Sequence, residues 1–183
     1  DIYSFEPGNY AVINEKNLSF KITKYWQIPL PNQDLRKSNV QGIIDQTKGL
    51  LELSIKRHLI SDVPVGIFLS GGIDSSAITA IASKHNDTLS TYSVGFDFDR
   101  GINELETARK TAKFFNTNHN EINIGGYDIS ESVIDLVDSH DQPFSDAANI
   151  PLYLISKKIK GEIKVVLQGD GGDELFGGYK RYQ

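Results

Sequence analysis

The chain has 183 residues, 39% hydrophobic and 23% charged, a balance that suits a globular protein with a core rather than a disordered one. A net charge of −5 and a pI near 5.3 argue against a broad nucleic-acid surface, and no apolar run approaches the roughly 20 residues of a membrane span. The chain contains no cysteine, hence no disulfide framework, zinc knuckle or thiol nucleophile, which fits a cytoplasmic protein; with no methionine and a start at Asp1 it reads as a piece of a longer polypeptide.

Residues 1–30 differ in character from the rest. Tyr10–Ile13 and Phe20–Trp26 read as two short strands around the polar turn Asn14–Asn17, the last hairpin of a preceding domain. Residues 31–38, opening on Pro31, Asn32 and Gln33, read as a linker to a main domain over 39–183. An apolar stripe of Val40, Ile43, Ile44, Leu50, Leu51, Ile55 and Leu59 predicts a long helix over 39–60, with Ser38 as its cap. Val63–Leu69 reads as a buried strand, and Ala77, Ile78, Ile81 and Ala82 place a helix after it. Leu89–Phe96 is a second strand, followed by a polar turn at Asp97–Gly101 and a helix marked by Leu105, Ala108, Ala112 and Phe115. Glu121–Ile124 is a third strand, Ile129–Val137 an amphipathic helix, Ala147–Lys160 another helix, and Ile163–Leu167 a fourth strand. Strands alternating with helices predict an α/β, Rossmann-like parallel sheet with helices on both faces.

In such sheets ligands sit beyond the carboxyl ends of the strands, and the two glycine-rich segments fall there. The first, Ser70-Gly71-Gly72-Ile73-Asp74-Ser75-Ser76, joins a strand to a helix. That turn aims free backbone N–H groups and the positive end of a helix dipole at one point, a site for phosphate. The glycines admit close approach of an anion, and the serines add hydroxyls. Asp74 would repel phosphate unless it holds a divalent cation. The Gly-Lys-Ser/Thr of a Walker loop is absent, as is any G-x-G-x-x-G after a strand; the competing reading is an ordinary strand-to-helix turn with a serine cap. The second segment, Gln168-Gly169-Asp170-Gly171-Gly172-Asp173-Glu174, clusters three carboxylates between glycines. Like charges at that density call for a cation or a proton. The EF-hand spacing is absent, so a solvated acidic turn is the alternative to magnesium held by Asp74 and Asp173 facing each other across the sheet edge. His119 and His140 are not spaced as a metal pair and read as structural or surface residues.

Ser70-Gly-Gly-Ile-Asp-Ser75 resembles the pyrophosphate loop of N-type ATP pyrophosphatases. Pro64–Gly72, Asp141-Gln-Pro-Phe-Ser-Asp146 and Gln168–Tyr179 together resemble the synthetase domain of glutamine-dependent asparagine synthetases, over about residues 50–183. The resemblance implies an adenine nucleotide α-hydrolase-like fold and an ATP-dependent, AMP-forming ligase that amidates aspartate through a β-aspartyl-AMP intermediate. It implies ATP and Mg²⁺ as cofactors, with Leu69, Ser70, Gly71, Gly72, Asp74, Ser75, Val94, Gly95, Gln168 and Gly169 at ATP and pyrophosphate. Leu69 and Ser93-Val94-Gly95 would hold adenine through the backbone, Asp74 and Asp173 the metal, and Asp170 would be the catalytic residue; Asp141, Gln142 and Asp146 stand where members contact substrate or order the site. Ammonia would come from a glutaminase domain whose exit hairpin is residues 1–30, and a full-length homodimer is compatible. Asparagine synthetases usually show Ser-Gly-Glu-Gly where this chain has Gln-Gly-Asp-Gly. That departure keeps open a relative acting on another carboxylate, such as a β-lactam synthetase-like enzyme, alongside a non-catalytic nucleotide-binding fragment.

Overall fold

The computed structural model describes residues 3–30, 39–96, 104–140, 146 and 148–182, with backbone only for 126–131. The expected linker over 31–38 with its Ser38 cap, the turn Asp97–Gly101, and Asp141 and Gln142 lie outside the described residues. The chain divides into two compact units, 1–46 and 47–183.

In the first unit β1 (Asn9–Ile13) and β2 (Phe20–Lys24) form an antiparallel hairpin in the register Asn9↔Lys24 to Ile13↔Phe20. The long helix α1 (Val40–His58) begins in this unit and ends in the second. It is capped by Asn39, whose Oδ1 accepts the Gln41 N–H at 2.9 Å.

The second unit holds β3 (Val65–Phe68), α2 (Ile73–Ala82), β4 (Ser90–Phe96), α3 (Glu104–Phe114), β5 (Asn118–Ile124), α4 (Gly126–His140), α5 (Asn149–Ile159), β6 (Val165–Leu167) and α6 (Gly172–Phe176). The four strands β3 to β6 are parallel, in the order β5-β4-β3-β6. Side-chain alternation along β3 explains the layers. Ile67, fully buried, packs with Leu51, Ile55, Leu59, Ile78, Ala82 and Leu89, so the end of α1 and all of α2 cover one face. Leu69, on the same side, meets Ala108 and Ala112 of α3. Phe68 points the other way, into a cluster of Tyr92, Ile155, Ile159 and Val166 beneath α5. Helices therefore flank the sheet on both faces. Among the described residues, no helix is long and apolar enough to cross a membrane.

Strand β5 begins three residues earlier than its apolar portion. Asn118, His119 and Asn120 pair with Ser90, Thr91 and Tyr92. Polar residues stay in the sheet because they bond one another: Thr91 Oγ1 lies 2.9 Å from both Thr117 Oγ1 and His119 Nδ1. Arg109 of α3 completes this patch with a two-pronged contact to Glu121, 2.7 Å between Nη2 and Oε2. His119 is thus a structural residue. β6 is short, because Gly161 turns the chain and only a single bridge, Lys160↔Ile163, precedes Val165.

Candidate functional site

The chain leaves β3 through β4 and β5 on one side, then returns to lay β6 on the other. Between β3 and β6 the sheet order reverses, and the loops that follow these two strands meet at a crevice.

The loop after β3 is organised from within. Ser75 is nearly buried, and its hydroxyl takes the Ser70 N–H at 3.2 Å, lies 3.0 Å from Ser70 Oγ and donates to the Gly72 carbonyl at 3.2 Å. The Gly72 N–H in turn donates to Ser70 Oγ at 3.2 Å. Both hydroxyls hold the turn together, and no side chain caps α2, whose N-cap is Gly72. The first-turn N–H groups, which a helix cannot satisfy internally, take no side-chain cap. The simple serine-capped turn is therefore not what forms. Gly71 has φ +84°, and a Cβ there would lie 2.6 Å from the Glu104 carbonyl oxygen. The phosphate-type loop is thus wedged against the start of α3.

The loop after β6 closes onto the same point. A Cβ on Gly169 would stand 3.0 Å from Asp74 Cβ, and one on Gly172 would stand 2.6–2.9 Å from the Asp74 carboxylate. Glycine at both positions lets the carboxylate loop reach Asp74. Gln168 donates from Nε2 to Asp170 Oδ2 at 2.5 Å, and the other Asp170 oxygen has no hydrogen bond among the described residues. Asp173 turns its carboxylate over Gly178, whose N–H donates to the Asp173 carbonyl at 3.0 Å. Tyr179 donates to Glu174 at 2.8 Å, which pushes its phenol pKa above the ordinary value.

Between the loops lies a cavity of about 460 Å³, walled by Phe68, Leu69, Tyr92, Val94, Pro151, Leu152 and Ile155. Ser70, Gly72, Asp74 and Ser75 line one rim, Gln168, Gly169 and Asp170 another, and Glu104 and Leu105 a third. The apolar floor with polar groups at the edge is how small-molecule sites are built. A second hollow of about 390 Å³ shares Gln168, Gly169 and Asp170 and adds Asp146, Asn149, Asp173 and Tyr179.

The structure therefore brings together Leu69, Ser70, Gly72, Asp74, Ser75, Val94, Gln168, Gly169 and Asp170 around one cavity. Asp173 lines the neighbouring hollow instead. Gly71 and Gly95 shape the walls without lining them. Gly95 is where Leu105 of α3 packs, 3.3 Å from its Cγ to a Cβ built at that glycine. Leu69 has its N–H on the Tyr92 carbonyl at 2.8 Å and its own carbonyl taken by the Ser93 hydroxyl, leaving one carbonyl lone pair for a ligand. Asp146 accepts the Ala148 N–H at 2.9 Å and opens α5. Among the polar lining residues, Tyr92 and Glu104 escaped the sequence reading: Tyr92 lay inside a strand of which only the end, Ser93-Val94-Gly95, was singled out, and Glu104 was hidden in a polar stretch whose one clue was its place beyond a strand's carboxyl end. Burial, aided by Glu162, pushes the Tyr92 phenol up and keeps it protonated.

As to a cation, Asp74 and Asp173 offer hard oxygen ligands on adjoining loops. Among the described residues no three acidic or histidine side chains converge on one point. Two carboxylates are too few for an all-protein cage, so an ion such as magnesium would complete its shell there with ligand phosphate and water.

A family model described as Asparagine synthase matches residues 46–183. A putative glutamine-hydrolysing asparagine synthetase of Mycobacterium tuberculosis is 35% identical over 97% of this chain, which covers 27% of that protein. Asparagine synthetase B of Escherichia coli is 36% identical over 97% of the chain, covering 34% of the relative. The chain thus spans about a third or less of these curated relatives. Among solved structures, a glutamine-dependent NAD+ synthetase from Acinetobacter baumannii in complex with ADP superposes with a TM-score of 0.54 at 18% identity, over 92% of this chain and 31% of that one. An NMN synthetase from Francisella tularensis gives 0.51 at 16% identity, over 75% and 59%. At such identities the superpositions speak for the fold, that of the adenine nucleotide α-hydrolases. With three quarters of its length matched and relatives above 30% identity along nearly all of it, the chain belongs to the asparagine synthase family.

Proposed function

We propose that this chain is the synthetase region of a cytoplasmic, glutamine-hydrolysing asparagine synthetase, residues 39–183 forming its ATP-pyrophosphatase domain and residues 1–30 the exit hairpin of a glutaminase-like domain that supplies ammonia. The observation that carries the reading is the closure of Gly169 and Gly172 onto Asp74, which joins an uncapped helix N-terminus and an acidic loop at the rim of one apolar cavity.

The adenosine of ATP occupies the cavity between Leu69, Val94 and Ile155, and the β- and γ-phosphates meet the first turn of α2. A substrate carboxylate oxygen bonds to the α-phosphorus as the α–β anhydride bond breaks, releasing pyrophosphate. Ammonia then bonds to the acyl carbon, the bond to AMP breaks, and the amide nitrogen gives up its extra proton. Magnesium, held by Asp74 and Asp173, would neutralise charge on the leaving phosphates. The α2 N–H groups are fixed in place before reaction, which is where such sites gain rate. Asp170, oriented by Gln168, handles intermediate formation or the proton. The shorter carboxylate of Asp170, in Gln-Gly-Asp-Gly where asparagine synthetases usually show Ser-Gly-Glu-Gly, supports a second reading, an acceptor other than aspartate.

ATP–pyrophosphate exchange tests both. Exchange that requires magnesium and aspartate, and that Asp74→Ala abolishes, supports the main reading. Exchange with a different carboxylate supports the second, and magnesium-ATP binding with no exchange for any acceptor reduces the chain to a nucleotide-binding fragment.

A further inference from the structure

Glu104 is the first residue of α3 and lines the cavity beside Leu105, Phe96 and Ser70. The chemistry above makes no use of it. A carboxylate facing a site for a polyanion is repulsive unless it meets a cation or a hydrogen-bond donor. Among the described residues no three acidic or histidine side chains lie close enough to share an ion, so Glu104 does not join Asp74 and Asp170 around one metal. A donor on the ligand remains.

The backbone fixes which part of a nucleotide is within reach. The Glu104 carbonyl oxygen lies 2.6 Å from a Cβ built on Gly71, and the Ala108 nitrogen 3.3 Å from it. The start of α3 therefore rests directly on the phosphate-type loop. The group next to the phosphates in a nucleotide is the ribose, while the adenine amino group lies at the far end, past the apolar walls. The cis 2′- and 3′-hydroxyls present two adjacent donors, and a carboxylate presents two acceptor oxygens.

We propose that Glu104 accepts the ribose hydroxyls of the bound nucleotide and makes the site selective for ribonucleotides. The inference rests on the reading of the cavity as an ATP site, and its test separates the two. Binding of the magnesium complexes of ATP, 2′-deoxy-ATP and 3′-deoxy-ATP is measured by calorimetry on the polypeptide its gene encodes, and on Glu104→Gln and Glu104→Ala, each shown folded by circular dichroism. The unsubstituted protein binds ATP roughly 10- to 100-fold more tightly than either deoxynucleotide, the range for hydrogen bonds to a charged acceptor. Glu104→Ala binds all three alike, and Glu104→Gln, which keeps one acceptor oxygen, retains part of the preference. Should Glu104→Ala not fold, the graded preference of Glu104→Gln carries the test. Discrimination that survives in both variants, an unsubstituted protein that does not discriminate, or a variant defect that added magnesium repairs would overturn the inference and leave the ATP site standing. Failure to bind any of the three nucleotides overturns both.

Discussion

Gly71 makes a separable demand on backbone and on space, and alanine substitution measures each. At φ +84° an alanine pays the left-handed penalty of about 1–2 kcal/mol. Its Cβ would also stand 2.6 Å from the Glu104 carbonyl oxygen and 3.3 Å from the Ala108 nitrogen, both backbone atoms of a packed helix. Forcing that separation is overpacking, at about 1–3 kcal/mol. Together Gly71→Ala loses about 2–5 kcal/mol, offset by about 0.4–1 kcal/mol from the stiffer unfolded chain. Gly171 is the internal control: its φ is +89°, and nothing lies within 4 Å of the same added Cβ. Gly171→Ala carries the dihedral penalty and the unfolded-state offset but no clash. The difference between the two variants isolates the wedge of α3 against the loop, and at about 2–4 °C per kcal/mol for a chain of this size it amounts to roughly 2–12 °C in melting temperature. Thermal unfolding followed by circular dichroism reads it directly. Equal melting of the two variants would refute the claim that the loop is braced against Glu104 and Ala108.

Ile67 is wholly buried at the centre of the sheet, so Ile67→Ala should cost about 2–5 kcal/mol by chemical denaturation, with the same dependence on denaturant. Gly172→Ala should differ from Gly71→Ala: the nearest atoms to its Cβ are those of the Asp74 carboxylate, the free end of a side chain, so stability should change little while magnesium-dependent ATP binding falls at least tenfold, as it should in Asp74→Asn. His119 has its pKa lowered, first by desolvation and then by the charge of Arg109, against the pull of Glu121. The folded protein therefore binds that proton less readily than the unfolded chain. Stability should be unaffected by this group above the unfolded value near 6.5 and should fall as pH drops below it. In His119→Asn that decline should be reduced in denaturation midpoints measured from pH 7.5 to 5.5; an unchanged decline would show that another group titrates. Glu121, held low by Arg109, adds a loss only in the lower range, below about pH 4.3.

The strand-loop-helix at 63–82 was legible because its signals agree: a continuous apolar run, two glycines, then helical spacing. The polar start of β5 was not, since Asn118, His119 and Asn120 have poor strand propensity and are held by partners on β4 and α3 that are remote in sequence. The site divides in the same way. Residues whose chemistry is local, the glycines and carboxylates of 70–75 and 168–173, stood out by composition alone. Ser93 was singled out only for its backbone, so its hydroxyl bond to the Leu69 carbonyl was not foreseen, and Glu104, placed by a glycine more than thirty positions earlier, takes its position from packing that no short window records. The same limit applies to Ser70 and Ser75. Their hydroxyls read as free donors, yet the loop spends them on its own turn and leaves the first turn of the helix without a side-chain cap.

The cavity exists because the last strand in sequence pairs with the first of the parallel sheet. Val65, Gly66 and Ile67 align with Val165, Val166 and Leu167, so the loops that follow them, a hundred residues apart, leave the sheet side by side at the same level. Neither loop makes a site alone. The first has an anion-binding helix end but only one carboxylate, whose charge opposes the anion. The second has several carboxylates clustered between glycines. Set against each other, with glycine at each close approach, they bring the acidic loop onto Asp74 in the first turn of α2. Any change that shifts the β3–β6 register by one residue would send Leu167 to the opposite face, out of the cluster it shares with Ile67, and carry Gly169 away from Asp74. Core packing and site assembly are thus enforced by the same three residue pairs, so loss of the site should accompany loss of the sheet and not precede it.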